Sequence, residues 1–342
     1  MKNIRLLLSV LSIVTVLNSC SDKKNFVTGS MKTIHFDKEY KIAGEHLSSI
    51  DSIGVSRVMI LGQYLIQEIY SQKCCVKIYD LQNMNFIGNF LSKGKGPGEV
   101  LSAVFDHVKF PYLWIDDRNN RNLKIIDIPE SVNDRQASIK STIKYSHDGF
   151  ADPEKVLYVN DTLLWVKSFD RDRETVSYFK YNPVEKKIRD EIKLYNYPIT
   201  ADIRYQKMTV LCDCIKPDGS KIVMSTGDLD QLDIIDLDHP DKSISLTQRD
   251  HLFDYEYIKY GENMKTFYSG YPSCSDRFIY ILYRSYEIHI IDWDGNPVCK
   301  LLLDRKLRDC TIDFDSGFMY AVSNTDEKTY RYDIRNILKE IS

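Results

Sequence analysis

The sequence predicts an all-β protein, a six-bladed β-propeller whose last blade is closed by a strand from the N-terminal part of the chain. A short alternating strand, a polar turn and a second strand ending in Asp or Asn recur six times, with end points 41 to 56 residues apart. That spacing fits a blade of four short strands. The strand residues are mainly Ile, Val, Tyr, Leu and Phe, without a helical period. The end points are Asp80, Asp127, Asn182, Asp236, Asp292 and Asp333.

The first 19 residues have the pattern of an export signal. Lys2 and Arg5 precede an apolar run from 6 to 17, which is too short to span a bilayer. The run ends in Leu17-Asn18-Ser19-Cys20, which resembles the lipobox of bacterial lipoproteins and implies a lipid on Cys20. We therefore expect a signal peptide over 1–19, a lipidated Cys20 with a flexible tether over 20–30, and a propeller over 31–342. An ordinary secreted protein without lipid is the alternative.

The sixth copy has no fourth strand of its own, because the chain ends soon after its third. Met31 to Phe36, MKTIHF, alternates in the way a strand does and follows the tether. We expect this segment to complete the sixth blade, which would close the ring and remove its open sheet edges.

Charge and cysteine content exclude two classes of protein. The chain has a net charge of −3 and no cluster of Lys and Arg, so no nucleic-acid partner is expected. Without Cys20, seven cysteines remain, an odd number that does not suit a disulfide framework. Cys212, Cys214, Cys274 and Cys310 are expected on inner strands near the channel, as small apolar fillers, as a disulfide or, least favoured, as a metal site. No metal or cofactor is predicted.

The segment 89–127 resembles an NHL-type repeat. The matching residues are the corner Gly94, Gly96, Pro97, Gly98 and Glu99, followed by Asp116, Asn119, Asn120, Arg121 and Asp127. With the lipobox, the chain resembles the TolB-like six-bladed propeller lipoproteins of anaerobic bacteria, a resemblance that implies no enzymatic activity. The glycines predict a tight structural corner with positive φ between two blades. A phosphate cradle is the alternative, but it requires a following helix, and none is predicted.

Tyrosines are concentrated in two long connections between blades. Residues 195–207 and 248–266 contain six of the 23 tyrosines. In a propeller these connections share one face with the turns between second and third strands, so we expect a binding face rich in Tyr and Arg, although packing of the tyrosines on the rim is the alternative. The candidate residues are Asp117, Arg118, Arg121, Arg171, Arg173, Tyr195, Tyr197, Tyr205, Tyr255, Tyr257 and Tyr260.

No residue pattern of a hydrolase is present, and no catalytic residue is predicted. We expect a non-enzymatic binding or scaffolding lipoprotein of the outer membrane, engaging a protein or a glycan, with its side of the membrane left open. The alternative is a propeller hydrolase or lyase acting on polysaccharide. Two or more carboxylates converging at the channel mouth would favour that enzyme.

Overall fold

The computed structural model describes residues 30–69, 74–96, 98–145, 152–170, 175–194, 212–225, 230–248 and 267–341. The described chain forms six β-sheets arranged as the blades of a propeller, which confirms the predicted fold. Three short strands precede the first complete blade, and they are β1 (Ser30–Thr33), β2 (Glu39–Ile42) and β3 (Glu45–His46).

Six blades follow in chain order, each with four antiparallel strands when β3 is counted in blade 6. Blade 1 has β4 (Val55–Leu61), β5 (Tyr64–Ile69), β6 (Cys74–Asp80) and β7 (Phe86–Lys93), with a short parallel β8 (Glu99–Val100). Blade 2 has β9 (Ala103–Lys109), β10 (Tyr112–Asp117), β11 (Asn122–Asp127) and β12 (Ser138–Lys144). Blade 3 has β13 (Asp152–Asn160), β14 (Leu163–Asp170), β15 (Thr175–Asn182) and β16 (Lys187–Lys193).

The second half of the ring has the same order. Blade 4 has β17 (Cys212–Ile215), β18 (Lys221–Ser225), β19 (Leu232–Asp236) and β20 (Ile244–Thr247). Blade 5 has β21 (Tyr268–Cys274), β22 (Phe278–Tyr283), β23 (Glu287–Asp292) and β24 (Pro297–Leu303). Blade 6 has β25 (Leu307–Asp313), β26 (Phe318–Ser323) and β27 (Thr329–Asp333), and two short α-helices, Ile128–Asp134 and Arg335–Ile341, complete the described chain.

The ring closes with different residues from those predicted. The N-terminal part of the chain does supply the fourth strand of blade 6, but that strand is β3, in which His46 pairs with Tyr330 and Glu45 with Arg331. The predicted segment, Met31 to Phe36, does not fill this role. Its first residues belong to β1, which lies parallel to β20 as a fifth strand on blade 4. The N-terminal segment therefore passes along the outer edges of blades 4, 5 and 6.

The recurring Asp or Asn has a local structural cause. In all six copies this residue ends the third strand and its side chain accepts backbone N–H groups two to four residues further along. In blade 1, for example, Asp80 Oδ1 accepts from Gln82 N and Asn83 N, both at 3.0 Å. Such side chains start a turn by replacing the hydrogen bonds that the strand no longer supplies.

The core consists of apolar layers between neighbouring blades. One cluster joins Ile66 and Ile78 of blade 1 to Phe105 and Leu113 of blade 2, and equivalent clusters join blades 2 and 3, 4 and 5, and 5 and 6. Blades 6 and 1 meet at their inner strands, where Val58 N donates to Asp309 Oδ2 at 3.0 Å. Blades 1, 2, 5 and 6 are thus each covered on two faces, which fits their long runs of Ile, Val and Leu.

The blades give the propeller two ends. We call "turn end" the end with the turns between first and second and between third and fourth strands, and "loop end" the end with the turns between second and third strands and the connections between blades. The turns Pro217-Asp218-Gly219 and Asp294-Gly295-Asn296 lie at the turn end, where Gly219 and Gly295 have φ of 77° and 76°. Glycine is favoured at both positions because other residues rarely adopt this φ.

Candidate functional site

Three of the predicted binding residues fall within the described chain, in the turn between β10 and β11 at the loop end. Asp117 is fully buried, and its carboxylate accepts from Leu101 N at 3.2 Å, Ser102 N at 3.1 Å and Asn120 Nδ2 at 2.7 Å. Its expected place on a binding surface is therefore corrected, because the carboxylate holds the turn together. Arg118 is exposed and lies 3.6 Å from Asp116 Oδ2, and Arg121 is partly exposed with φ of 48°.

The other predicted binding residues lie outside the described residues. They are Arg171, Arg173, Tyr195, Tyr197, Tyr205, Tyr255, Tyr257 and Tyr260. In chain order, 171–174 fall between β14 and β15, 195–211 between β16 and β17, and 249–266 between β20 and β21. Cys20 and Pro97 also lie outside the described residues.

The glycine-rich segment forms the connection from β7 to β8, but its glycines do not have the backbone conformation that was predicted for them. Gly94, Gly96 and Gly98 do not have positive φ. A Cβ at Gly94 would lie 1.9 Å from Glu99 Oε2, so glycine lets the Glu99 carboxylate approach the backbone closely. Gly96 N donates to the same oxygen at 2.7 Å. The chain continues into strand β9 and not into a helix, so the geometry of a phosphate cradle is absent from this described segment.

A cavity of about 240 Å³ lies between the inner strands of blades 1, 4, 5 and 6. It is lined by the later halves of β4, β21 and β25, together with β17, so it lies toward the turn end. Arg57 and Asp213 supply its charged groups, Cys214, Cys274 and Cys310 its thiols, and Phe314 an aromatic ring. The binding residues predicted from sequence were assigned to the opposite end, and no pattern in the sequence indicated this cavity.

Arg57 is held in place on the cavity wall. Its guanidinium carbon lies 3.6 Å from the centroid of the Tyr271 ring, a cation–π geometry, and its Nη1 donates to Phe105 O at 2.7 Å. Blades 1, 2 and 5 are thereby connected through one side chain.

Asp309 joins three blades at the axis. Its Oδ2 accepts from Val58 N of blade 1 at 3.0 Å and its Oδ1 from Tyr271 N of blade 5 at 2.9 Å. Burial raises the pKa of Asp309 to about 6, against the opposing influence of Arg57 and of nearby backbone N–H groups.

Asp213 is the equivalent residue of blade 4. Its Oδ2 accepts from Lys167 Nζ at 2.8 Å and from the Tyr178 hydroxyl at 2.5 Å, both in blade 3. The Lys167 and Asp213 side chains are 1% and 0% exposed. Burial lowers the pKa of Lys167, and the nearby Asp213 carboxylate opposes that shift.

A repeated dipeptide marks both residues in the sequence. Asp213-Cys214 and Asp309-Cys310 occupy matching positions of β17 and β25, opposite Met224-Val223 and Val322-Ala321 of the second strands. The sequence thus contains a signal for these carboxylates, since an Asp directly before an inner-strand Cys recurs in two blades. Only the cysteines of these pairs were among the predicted inner-strand residues.

All four predicted cysteines lie on inner strands, as expected. Cys214 and Cys274 lie on the neighbouring strands β17 and β21, and both line the cavity with Cys310. Burial, together with the nearby Cys214 thiol, raises the pKa of Cys274 well above its usual value. Both of these cysteines are free thiols in the structure. Within the described part of the chain, no three His, Cys, Asp or Glu side chains are grouped closely enough to hold a metal ion.

We expect a small disulfide such as 2-hydroxyethyl disulfide to cross-link Cys214 and Cys274. Two S–H bonds are lost and one S–S bond forms, while the two electrons and two protons convert the reagent into two thiols. The cross-link encloses about 60 residues and should stabilise the fold by roughly 4 kcal/mol. Peptide mass spectrometry and denaturant unfolding measure both effects. C310S should still cross-link, whereas C214S and C274S should not, and a cross-link to Cys310 instead would contradict the assignment.

Asp233 is a buried carboxyl group beside the Lys167–Asp213 pair. Its Oδ1 accepts from Ser245 Oγ at 2.6 Å and from Gln231 Nε2 at 2.9 Å. Burial raises its pKa to about 7, which the two side-chain donors and Lys167 oppose. The folded protein therefore binds this proton more tightly than the unfolded chain does, so the stabilisation is complete below the unfolded pKa and is lost as the pH rises through about 7.

We expect wild type to lose roughly 2–3 kcal/mol of stability relative to D233N between about pH 5 and pH 7.5. Asparagine keeps an oxygen for the Ser245 and Gln231 donors but does not titrate. Glu68, with a pKa raised to about 7, and His289, with a lowered pKa, are present in both proteins, so their contributions cancel in the difference. Denaturant unfolding across this range is the measurement, and parallel curves for the two proteins would show that Asp233 does not titrate there.

The described carboxylates near the cavity serve the fold. Asp213 is paired with Lys167, and both oxygens of Asp309 accept backbone N–H groups. Among the described residues that line the cavity, Asp213 is the single carboxylate, whereas glycoside hydrolysis uses two on either side of the scissile bond. The arrangement offers the cavity a cation, thiols and apolar surface. Among the described residues, no helix is long and apolar enough to cross a membrane.

Comparisons with known proteins bear on the fold. No protein-family model matches the chain. No curated protein matches it either. Among solved structures, the chain is similar to hydrazine synthase of Kuenenia stuttgartiensis, with a TM-score of 0.51 and 12% identity over 82% of this chain and 96% of that one.

Two further structures are similar to the chain. The β-propeller domain of Cps50 (Swd1) from Myceliophteria thermophila has a TM-score of 0.50 and 10% identity, over 85% of this chain and 99% of that one. BamB from Moraxella catarrhalis has a TM-score of 0.38 and 11% identity, over 81% of this chain and 71% of that one. At these identities the first two similarities assign the β-propeller fold and nothing finer.

Proposed function

We propose that the chain is a non-enzymatic binding or scaffolding lipoprotein of the cell envelope, held at the outer membrane by a lipid on Cys20. Its loop end engages a protein partner. The observation that supports this most is that three buried carboxylates serve the fold: Asp117 holds a turn of the loop end, and Asp213 and Asp309 hold inner strands through hydrogen bonds. These carboxylates are occupied by the fold, so a partner is recognised by other side chains, which we assign to the loop end.

The composition of the loop end supports a protein partner. Two connections between blades hold six tyrosines, and Arg118 is exposed in the described turn of blade 2. Tyr and Arg are enriched in protein interfaces because they combine contact area with directional hydrogen bonds. We also place the chain with the TolB-like or NHL-like propeller lipoproteins of anaerobic bacteria, on the corner Gly94 to Glu99 and the Asn119-Asn120-Arg121 turn.

Affinity capture from detergent-solubilised envelope tests the binding face. The full chain is compared with Y255A/Y257A/Y260A, and with F86A/V184A/F314A as a matched triple variant at the turn end. We expect the tyrosine variant to lose most of a protein captured by wild type and the turn-end variant to retain it. Equal recovery by all three proteins would overturn the loop end as the binding face.

Two further results would redirect the proposal. Capture of polysaccharide in place of protein would assign a glycan partner, and release of soluble sugars from that polysaccharide by the purified chain would favour the hydrolase or lyase alternative. Mass spectrometry of the N-terminal peptide, with C20A as the control, tests the lipid independently of the partner.

A further inference from the structure

The N-terminal segment joins the ring at the turn end of blade 4. Ser30 pairs with Ile244, the first residue of β20, and Ser30 N donates to Ser243 O at 3.1 Å. Because β1 is parallel to β20, the chain enters β1 where the turn between β19 and β20 ends. Lys32 Nζ adds a contact to the turn of blade 5 at the same end, donating to Gly295 O at 3.1 Å. A tether from Cys20 therefore reaches the propeller at its turn end.

Exposed apolar side chains are concentrated at that same end. In the described chain the well exposed large apolar residues are Ile53, Phe86, Phe110, Val184, Tyr286 and Phe314. Phe110 and Phe314 lie in turns between first and second strands, Val184 in a turn between third and fourth strands, and Phe86 at the first residue of β7. Four of the six thus lie at the turn end, on blades 1, 2, 3 and 6.

We propose that the turn end rests against the lipid surface of the membrane that holds Cys20, with the loop end directed away from it. This inference rests on the proposed lipidation of Cys20. The ten residue steps from Cys20 to Ser30 span at most about 35 Å, so the turn end stays close to the bilayer. Exposed Phe and Val side chains gain from insertion at the boundary of headgroups and acyl chains.

Charge selects the kind of lipid. The turns between third and fourth strands start with an acidic residue in most blades. Asp80, Asp236 and Asp292 are examples, and they put carboxylates at the turn end. An acid-rich surface is repelled by anionic headgroups. The lipid surface that fits is therefore zwitterionic, such as phosphatidylethanolamine, and contact should weaken as anionic phosphatidylglycerol is added.

The test uses the full lipidated chain in vesicles of phosphatidylethanolamine and phosphatidylcholine whose acyl chains carry bromine, which quenches tryptophan at close range. One reporter, V184W, replaces a residue that is 71% exposed at the turn end, and its matched control, I53W, replaces one that is 90% exposed at the loop end. The native Trp114, Trp165 and Trp293 are buried and contribute the same background to each protein. F314W repeats the turn-end measurement at a second position.

We expect the lipid to quench roughly a third or more of the fluorescence added by V184W and F314W and little of that added by I53W. Phosphatidylglycerol should reduce the turn-end quenching. Equal quenching at both ends, or stronger quenching of I53W, in protein that floats with the vesicles would overturn the orientation while the lipid anchor stands. An N-terminal peptide without lipid, in protein that does not float, would remove the proposed anchor and this inference with it.

Discussion

Replacing Asp213 with alanine is expected to lower the free energy of unfolding by about 3–5 kcal/mol, because it leaves the buried Lys167 without its counter-ion. The Lys167 ammonium donates to Asp213 Oδ2 at 2.8 Å, and both side chains are almost completely excluded from water. The Tyr178 hydroxyl, which donates to the same oxygen, loses its acceptor as well. Denaturant unfolding near neutral pH measures the loss.

The variant should also acquire a characteristic pH dependence. Burial already lowers the pKa of Lys167, and removal of Asp213 takes away the carboxylate that opposes this shift. The folded D213A protein then holds the lysine proton less tightly than the unfolded chain does, so its stability rises with pH. We expect the difference between D213A and wild type to be smaller at about pH 9 than at about pH 6.

A double-mutant cycle separates the ion pair from simple loss of packing. K167M alone leaves a buried carboxylate and should also be strongly destabilising, whereas D213A/K167M leaves neither charge. We expect the double variant to cost at least about 2 kcal/mol less than the sum of the single variants. Additive costs would show that the two residues contribute independently and that the pair has no special role in joining blades 3 and 4.

The blades could be predicted from sequence because their signals are local. Alternation of apolar residues fixes which face of a strand is buried, and the Asp or Asn at the end of each third strand binds N–H groups of its own turn, as Asp80 does. Both signals operate within a few residues, so each copy carries them independently of the rest of the ring. The second and third strands of all six blades were accordingly predicted close to their observed bounds.

The closing strand could not be predicted in the same way. β1 and β3 both lie at outer edges, where side chains are at most partly buried, so the sequence constrains their pairing weakly. MKTIHF alternates as well as a closing strand should, but β1 extends blade 4 and the two residues of β3 complete blade 6. Which edge a strand joins depends on the path of the chain around the ring, a property of the tertiary structure.

The axial charges were missed because each acts across blades. Asp309 and Asp213 look like ordinary inner-strand residues until the neighbouring blades bring Val58 N and Lys167 Nζ to them. In the sequence, these carboxylates are marked only by an Asp-Cys pair that recurs at matching positions of two blades. The prediction drawn from this pair concerned the cysteine and not the aspartate. The expected surface role of Asp117 failed for the same reason, since its partners include N–H groups from the connection that precedes β9.

Replacing Asp309 with alanine is expected to lower the free energy of unfolding by about 3–4 kcal/mol, because two buried backbone N–H groups lose their acceptor. These N–H groups, of Val58 and Tyr271, belong to the inner strands of the blades on either side. A buried N–H left without a partner costs about 1–3 kcal/mol. D309N keeps the shape and one acceptor oxygen but turns an NH₂ group toward a donor, so we expect a smaller but distinct loss of about 2 kcal/mol.

The location of the damage distinguishes loss of this junction from general destabilisation. Hydrogen exchange of the Val58 and Tyr271 amides should accelerate in D309A more than exchange at amides of blade 3, because blades 6, 1 and 5 meet through the Asp309 carboxylate. D315A, which removes an exposed carboxylate from the adjacent turn of blade 6, is the matched control and should change stability by less than about 0.5 kcal/mol. If D309A proves as stable as D315A, the carboxylate does not hold the closure of the ring, and the apolar layers between blades must suffice.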